Sequence, residues 1–170
     1  MLVTVADPKS RRRLAEKIIV AGGSFARLYE RSEFSFPGVS IGAGTVVSPT
    51  YIGPNTMLGK HVQVMPMCSI GHDVVIADYV TLTLCPSCTV SGYVVIEEEV
   101  FVGAGAIIVN GNLGRPLIVG AGAKISAGAV VTKSIPPNAS VAGNPARPLR
   151  DLVRARERRA TPKPEIYDEP

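Results

Sequence analysis

The 170-residue sequence predicts an all-β protein in which short strands wind into a parallel β-helix. The first observation is a regular spacing of six between large aliphatic residues. An alternating strand has a period of about two and a helix of about 3.6, so neither explains this spacing. The spacing of six runs through Ile52, Leu58, Val64, Ile70, Ile76 and Leu82, through Val90, Ile96, Val102 and Ile108, and through Val119, Ile125 and Val131, with Ile41 and Val47 before them. Units of this kind bury an apolar face only by stacking on one another.

The second observation concerns the other positions of each six-residue unit, numbered from its large aliphatic residue as position 1. Position 2 is often glycine or another small residue, and position 5 is usually small or β-branched. The position 5 residues are Thr45, Thr56, Val62, Cys68, Val74, Val80, Val100, Ala106, Ala123 and Ala129. Aromatic residues make up only 5% of the chain and Trp is absent, so the interior has to be aliphatic. Each unit therefore indicates a strand and a turn, with position 1 in the interior and position 5 near a corner.

The period is broken at three places. Val47 and Ile52 are one residue closer than the period requires, and Leu82 and Val90 are separated by two residues more. The largest break lies across the sequence VNGNLGRPLI, residues 109–118, which predicts a loop pushed out of the coil. Loops on a rigid scaffold are common places for binding.

The N-terminal residues predict a small α/β segment. Residues 2–5 are predicted as a strand, followed by Asp7 as a helix N-cap and Pro8 at the first helical position. Gly22 and Gly23 are expected to end the helix. Leu14, Ile18 and Ala21 are spaced as one face of this helix.

The sequence after the repeats predicts a short C-terminal appendage. GNPARP ends the β-helix, a basic helix follows from Leu149 to about Arg159, and the tail TPKPEIYDEP is expected to be disordered or to wrap a neighbour. We therefore divide the chain into a segment 1–38, a β-helix 39–147 and a C-terminal helix and tail 148–170.

Composition and charge argue against several classes of protein. No apolar run is long enough to span a membrane, and the N-terminus lacks the features of a signal peptide. Three cysteines make no disulfide framework, so a cytoplasmic protein with reduced thiols is expected. Between residues 39 and 134, four Lys or Arg face five Asp or Glu, and the positive excess lies in residues 11–13 and 147–159. A nucleic-acid binder would instead carry a basic stripe with aromatic residues on its main domain.

The sequence SIGHDVVIAD places two ionisable groups side by side. His72 and Asp73 occupy positions 3 and 4 of the unit that begins at Ile70, so both should point outward without disturbing the interior. An imidazole can act as a general base near neutral pH, and a neighbouring carboxylate can orient it. His61, the only other histidine, has no acidic neighbour in sequence, and the simplest interpretation is a solvated side chain.

Metal and redox sites find little support in the sequence. Cys85-Pro86-Ser87-Cys88 matches the C-x-x-C pattern, but no helix N-terminus, second cysteine pair or histidine cluster accompanies it. A metal-dependent enzyme of the γ-carbonic anhydrase type would need three histidines around each metal, whereas this chain has two. We therefore expect no metal.

Three stretches carry a family resemblance, namely HDVVIADYVTLT, PSCTVSGYVVIEEEVFVGAGAII and KISAGAVVTKSIPPNASVAGNPAR. Together with the repeat, they resemble the hexapeptide-repeat acyltransferases of the bacterial sugar acetyltransferase type, which include sialic acid O-acetyltransferases and nucleotide-aminosugar N-acetyltransferases. The resemblance implies a left-handed parallel β-helix with three units per coil. It also implies acetyl-CoA as the acyl donor and a homotrimer whose sites lie between adjacent chains.

The resemblance also assigns catalytic roles. It implies that His72 is the general base, that Asp73 increases its basicity, and that the backbone N–H of Gly92 stabilises the oxyanion. Gly92 lies one coil of 18 residues plus the two inserted residues after His72, so the spacing places it above that histidine. One more coil leads to Asn110 at the start of the loop, where it should share a wall of the site with His72 and contact the acceptor substrate.

The cofactor contacts follow in the same way. The resemblance implies that backbone groups of Ala104 and Ala127 bind CoA, and Lys133 and Arg147 are placed to meet its phosphates. Some members of the family carry a second histidine nine residues after the base, where this chain has Thr81. A hydrogen bond from the Thr81 hydroxyl could replace that contact.

The sequence leaves two functions open. One is acetyl transfer from acetyl-CoA to an amine or hydroxyl of a sugar or nucleotide sugar. The other is a non-catalytic trimeric hexapeptide-repeat protein that binds or scaffolds. The second gains support from the N-terminus, where LVTVADPKSRRRLAEKIIVAGGSFARLYE resembles only the last part of the family's sugar-binding α/β domain. The acceptor and the choice between N- and O-acetylation stay undetermined at this level.

Overall fold

The computed structural model describes residues 1–29, 36–83 and 88–159. Two helices, α1 (Pro8–Val20) and α2 (Leu149–Arg159), flank a series of two- and three-residue strands. The strands are β1 (Leu28–Tyr29), β2 (Ser40–Ile41), β3 (Val46–Val47), β4 (Tyr51–Ile52), β5 (Met57–Leu58), β6 (Gln63–Val64), β7 (Ser69–Ile70), β8 (Val75–Ile76), β9 (Thr81–Leu82), β10 (Thr89–Val90), β11 (Val94–Ile96), β12 (Phe101–Val102), β13 (Ile107–Ile108), β14 (Leu117–Val119), β15 (Lys124–Ile125), β16 (Val130–Val131), β17 (Ser140–Ala142) and β18 (Arg147–Pro148).

The strands form three sheets that are parallel except for the last strand, β18, and this architecture confirms the predicted left-handed parallel β-helix. Sheet A has the order β1-β3-β6-β9-β12-β15-β17-β18, sheet B the order β16-β13-β10-β7-β4 and sheet C the order β14-β11-β8-β5-β2. Each strand from β2 to β13 pairs with the strand three places later in the chain, so that Ile52 pairs with Ile70. The chain therefore turns three corners per coil, which we call the A–B, B–C and C–A corners after the sheets they join.

The interior is formed by the two kinds of residue that the repeat predicts. Position 1 residues such as Ile70 and Leu82 are fully buried, and so are position 5 residues such as Val62 and Ala106. Position 4 has a left-handed backbone in many units, with positive φ at residues such as Asn55, Asp73, Tyr93, Gly105 and Gly122. This conformation turns the chain sharply at the corner and lets the next strand begin on a new face.

The breaks in the period leave the stacking intact. Val90 pairs with Ile70, so the two extra residues before it do not shift the register between these coils. The insertion itself includes Leu84 and Cys85, which lie outside the described residues. The predicted loop after Ile108 is a tight turn in which the backbones of Asn112 and Arg115 exchange hydrogen bonds.

The N-terminal segment agrees with the prediction only in part. Asp7 caps α1 by accepting a hydrogen bond from the Ser10 N–H, and Pro8 opens the helix as expected. Residues 2–5 form no strand. Side chains bind their carbonyl groups instead: Gln63 Nε2 donates to the Val3 oxygen at 3.2 Å.

The side of α1 that packs on the β-helix is not the face of Leu14, Ile18 and Ala21. Leu14 and Ala21 are exposed, whereas Arg11 and Ala15 are fully buried. The physical reason is that the C–A corner presents backbone carbonyl groups to the helix, and a guanidinium can satisfy these where leucine cannot.

Arg11 joins the N-terminal segment to the β-helix. Its side chain donates hydrogen bonds of 2.6–3.1 Å to five backbone carbonyls, those of Val5, Ala6, His61, Tyr79 and Val80. Burial lowers the pKa of Arg11 to about 10, which still leaves the group charged at neutral pH.

His61 is buried, and the expectation of a solvated side chain is wrong. Its ring stacks on Tyr79 at 4.9 Å and meets the edge of Phe25 at 4.5 Å. The Nδ1 atom is buried and finds no hydrogen-bond partner within the described part of the chain. Burial lowers the pKa of His61, and the charges of Arg11 and Lys60 act in the same direction while Asp78 opposes them.

The C-terminal end matches the prediction over the residues the structure describes. Strand β18 turns back antiparallel to β17, and α2 follows it directly. The tail 160–170 lies outside the described residues. No helix in the described ranges combines the length and apolar character needed to cross a bilayer.

We predict that His61 makes the stability of the fold depend on pH. Because the folded protein holds the pKa of His61 below its ordinary value of 6.5, the unfolded chain binds the proton first as the pH falls. The free energy of unfolding should therefore decrease as the pH drops below 6.5, and His61→Phe, which keeps an aromatic ring, should reduce that decrease. Thermal melts between pH 8 and 5 measure it.

The matched control is Tyr79→Phe, which keeps His61 and the aromatic ring stacked on it. It should retain the pH dependence of the wild type. The same decrease in His61→Phe as in the wild type would contradict the assignment.

Candidate active site

The stacked coils bring several predicted site residues into one column. Ile70, Val90, Ile108 and Val131 lie in register on neighbouring strands of sheet B. Two residues after them, at position 3 of the B–C corner, the column contains His72, Gly92, Asn110 and Lys133. Neighbouring coils are about 4.8 Å apart, so consecutive members of the column can touch.

His72 and Asp73 form a hydrogen-bonded pair at this corner. The His72 Nδ1–H donates to Asp73 Oδ2 at 2.8 Å, and the two side chains are 48% and 36% exposed. The Tyr93 ring contacts the His72 ring edge-on at 5.0 Å between centroids. With Nδ1 as the donor, Nε2 keeps its lone pair and can accept a proton.

Asp73 is held by a second contact that sequence reasoning missed. Asn55 Nδ2 donates to Asp73 Oδ1 at 3.2 Å, from the same corner one coil below. The hydrogen bond from His72, and then that from Asn55, lowers the pKa of Asp73. The spacing of 18 residues between Asn55 and Asp73, one coil, was the available sequence signal.

Gly92 lies against the imidazole of His72. A Cβ atom added at Gly92 would lie 2.6 Å from His72 Nε2, so this close approach requires glycine. The Gly92 N–H donates to Asn110 Oδ1 at 3.1 Å. The structure thus joins the proposed base, the proposed oxyanion donor and Asn110 at one place.

Ala104 and Ala127 lie at a different corner of the β-helix from His72. Both occupy position 3 of the A–B corner in successive coils, where the Ala104 carbonyl accepts from the Gly128 N–H. One six-residue unit, and so the whole width of sheet B, separates this corner from His72. Six residues of extended chain span roughly 20 Å. A single chain therefore does not bring these two residues next to the base.

Lys133 and Arg147 share a cavity. This cavity has a volume of about 260 Å³ and lies between the last B–C corner and β18. Lys133 also lines a neighbouring cavity of about 600 Å³, together with Asn110 and Arg115. Arg115 was not predicted as a site residue, although its place in the longest break of the period pointed to it.

Thr81 does not meet its prediction. It lies on the outer face of sheet A, is 1% exposed, and its hydroxyl donates to the Ala6 carbonyl at 2.8 Å. The N-terminal segment covers this part of the sheet. The expected cofactor contact is therefore contradicted for Thr81, because its hydroxyl is already engaged and shielded.

The cysteines are part of the interior. Cys88 is fully buried and Cys68 is 3% exposed one coil below it, whereas Cys85 lies outside the described residues. Within the described ranges, no group of three His, Cys, Asp or Glu side chains is arranged to hold a metal ion.

Family models match the repeats. The bacterial transferase hexapeptide family, described as six repeats, matches residues 49–84. The hexapeptide repeat of succinyl-transferase matches residues 93–133.

Individual relatives extend the similarity over most of the chain. GDP-perosamine N-acetyltransferase from Escherichia coli O157:H7 is 40% identical over 149 residues, which cover 87% of this chain and 66% of the relative. The structure of WeeI from Acinetobacter baumannii AYE is 35% identical with a TM-score of 0.78, covering 87% of this chain and 69% of WeeI. The acetyltransferase domain of PglB from Neisseria gonorrhoeae FA1090, in complex with acetyl coenzyme A, is 29% identical with a TM-score of 0.75 over 87% and 69% of the two chains. The present chain thus spans about two thirds of the length of these relatives.

We predict that His72 controls the ionisation of Asp73. Replacing His72 by alanine removes the contact that lowers the pKa of Asp73 most, so that pKa should rise towards its ordinary value of 3.8. Asn55→Ala removes the weaker contact and should raise it less. A ¹³C NMR titration of the Asp73 carboxyl group measures both changes. A larger rise in Asn55→Ala would contradict this order.

Proposed function

The chain belongs to the hexapeptide-repeat acyltransferases of the bacterial sugar acetyltransferase type, and from this premise we propose that it transfers an acetyl group from acetyl-CoA to a sugar or nucleotide sugar. The observation that carries the proposal is the arrangement of His72, Asp73 and Gly92 on one corner of the β-helix. The GDP-perosamine N-acetyltransferase relative supports an amine of a nucleotide sugar as the acceptor, and a hydroxyl acceptor would use the same groups.

In the proposed reaction the acceptor attacks the thioester carbonyl carbon directly. His72 Nε2 takes the proton of the attacking amine or hydroxyl, while the bond from Nδ1 to Asp73 stabilises the imidazolium that forms. The Gly92 N–H donates to the carbonyl oxygen as it becomes negative. Collapse of the tetrahedral intermediate re-forms the carbonyl and expels CoA as a thiolate, which takes the proton from the His72 imidazolium and so regenerates the base. Every bond change is thus accounted for without a covalent enzyme intermediate.

CoA is proposed to bind along the A–B corner and in the two cavities that Lys133 lines. The ladder between coils uses the N–H groups of positions 2, 4 and 6, as at Gly71, Asp73 and Ser69. Within the described residues, the position 3 amides of Ala104 and Ala127 make no hydrogen bond, so both can bind a ligand at the surface. Lys133 and Arg147, which share a cavity, supply positive charge for phosphates. The PglB relative, solved with acetyl coenzyme A, supports this donor.

The separation of the two corners supports a site made by two copies. His72 and Gly92 lie at one end of sheet B, and Ala104 and Ala127 lie at the other. If copies pack side by side around a threefold axis, the B–C corner of one chain can face the A–B corner of the next. We therefore propose a homotrimer in which each cleft joins the base of one copy to the cofactor-binding amides of its neighbour.

The competing function is a non-catalytic trimer that binds or scaffolds. The intact hydrogen-bonded pair of His72 and Asp73 favours catalysis.

We predict that His72→Ala lowers acetyl transfer by roughly 10²–10⁴-fold, because a general base is lost. The measurement is release of free thiol from acetyl-CoA with a panel of amino sugars and nucleotide amino sugars. Lys60→Ala, an exposed residue at the C–A corner, serves as the control and should match the wild type. Equal rates in His72→Ala and the wild type would exclude His72 as the base. The absence of any thermal shift with CoA would favour the non-catalytic trimer.

We also predict that two inactive variants restore activity when mixed. His72→Ala removes the base, and Ala127→Tyr fills the A–B corner at an exposed position. After unfolding and joint refolding in equal amounts, about a quarter of the clefts in random trimers should combine an intact base with an intact A–B corner. Activity near that fraction of the wild type is expected, whereas mixtures that stay inactive would mean that each chain forms its own site.

A further inference from the structure

The backbone amides at position 3 of the corners point out of the coil, and side chains cap some of them. The Lys60 N–H donates to Asp78 Oδ1 at 2.7 Å, and the Ala121 N–H donates to Glu97 Oε2, also at 2.7 Å. Both acceptors are carboxylates, and hydrogen bonds to charged acceptors are shorter and stronger than neutral ones. These two caps satisfy the outward N–H groups of their corners.

The cap on Gly92 differs from the other two. Its acceptor is the neutral side-chain amide of Asn110, and the bond is longer, at 3.1 Å. Because the N–H of Gly92 is the donor, Asn110 has to present its carbonyl oxygen, Oδ1. This oxygen is of the same chemical kind as the carbonyl oxygen of a thioester. The weakest of these three caps therefore sits beside His72 Nε2, where the reaction is proposed to occur.

The backbone around Asn110 fixes the geometry of this cap. The Gly111 N–H donates to the Gly92 carbonyl at 3.0 Å, which holds the two coils together next to the Asn110 side chain. Gly92 is buried, whereas Asn110 is exposed and lines the cavity of about 600 Å³. The side chain of Asn110 can consequently rotate into the cavity without moving the backbone that carries the donor.

We propose that Asn110 is a positioning residue that occupies the oxyanion donor of Gly92 in the resting protein and yields it to the acyl group of the thioester. This inference rests on the proposed function, because it needs acetyl-CoA as the ligand. An acetyl carbonyl gains the Gly92 N–H only by displacing Asn110 Oδ1. CoA without an acetyl group has no such oxygen and leaves the cap in place. Asn110 therefore lowers the preference of the site for acetyl-CoA over CoA.

The test compares the dissociation constants of acetyl-CoA and CoA by calorimetry, without an acceptor. In Asn110→Ala the dissociation constant of acetyl-CoA divided by that of CoA should fall about 2- to 10-fold. This factor corresponds to one neutral hydrogen bond, which acetyl-CoA no longer has to break in the variant. In Asn110→Asp the ratio should rise, because a carboxylate caps the N–H more strongly. Asn112→Ala, from the same cavity, is the control and should keep the wild-type ratio.

Two results would overturn the proposal, and they differ in what they imply. An unchanged ratio in Asn110→Ala, with both ligands bound by the wild type, would overturn the role of Asn110 and leave the acetyl transfer function intact. Binding of neither ligand to the wild type would overturn the proposed function together with this role. Melting curves of the variants should match the wild type, since Asn110 is exposed.

Discussion

The register between stacked coils is the constraint on which the rest of the structure depends. Positions 1 and 5 of each unit are buried in one continuous aliphatic interior, so a coil cannot slide along its neighbour without exposing them. Residues at position 3 of successive coils therefore form fixed columns, and neighbouring residues within a column are about 4.8 Å apart. His72, Gly92 and Asn110 meet for this reason, although 38 residues separate the first from the last. The pairing of Val90 with Ile70 keeps this column aligned despite the two inserted residues.

The same column explains why one kind of contact has different consequences at different corners. At Lys60 and Ala121, a carboxylate oxygen accepts from the backbone N–H of the corner, and this contact does no more than complete the local hydrogen bonding. At the B–C corner, Asp73 accepts from an imidazole instead and so determines which nitrogen of His72 keeps its lone pair. The body of the protein has almost no net charge, and its few carboxylates are concentrated at corners. Orientation of a base here required no new structural element, only histidine at position 3 followed by aspartate at position 4.

The sequence was sufficient to predict the features that follow from the spacing of six. It was insufficient to predict how the N-terminal segment covers the outside of the β-helix. The strands, the interior and the meeting of His72 with Gly92 follow from the spacing of six. His61 and Thr81 were misjudged because the period assigns both an outward direction and says nothing about the N-terminal segment that buries them. Helical periodicity also places Leu14, Ile18 and Ala21 on one face but does not show that Arg11 is the buried residue. The backbone carbonyls at the C–A corner, which bind its guanidinium, have no signature in the sequence.

This covering also bears on where a ligand can bind. Arg11 and its neighbours close the C–A corner and part of the outer face of sheet A, and five backbone carbonyls are satisfied by one buried guanidinium. The B–C corner with His72 and the A–B corner with Ala127 keep exposed residues. These two corners lie at opposite ends of sheet B, so one small acyl group cannot contact both within a single chain. A donor as long as CoA could reach along one edge, but in the proposed reaction its thioester has to approach His72. The geometry of one chain thus supports the proposed cleft between two copies, and the described N-terminal residues leave His72 and Ala127 exposed.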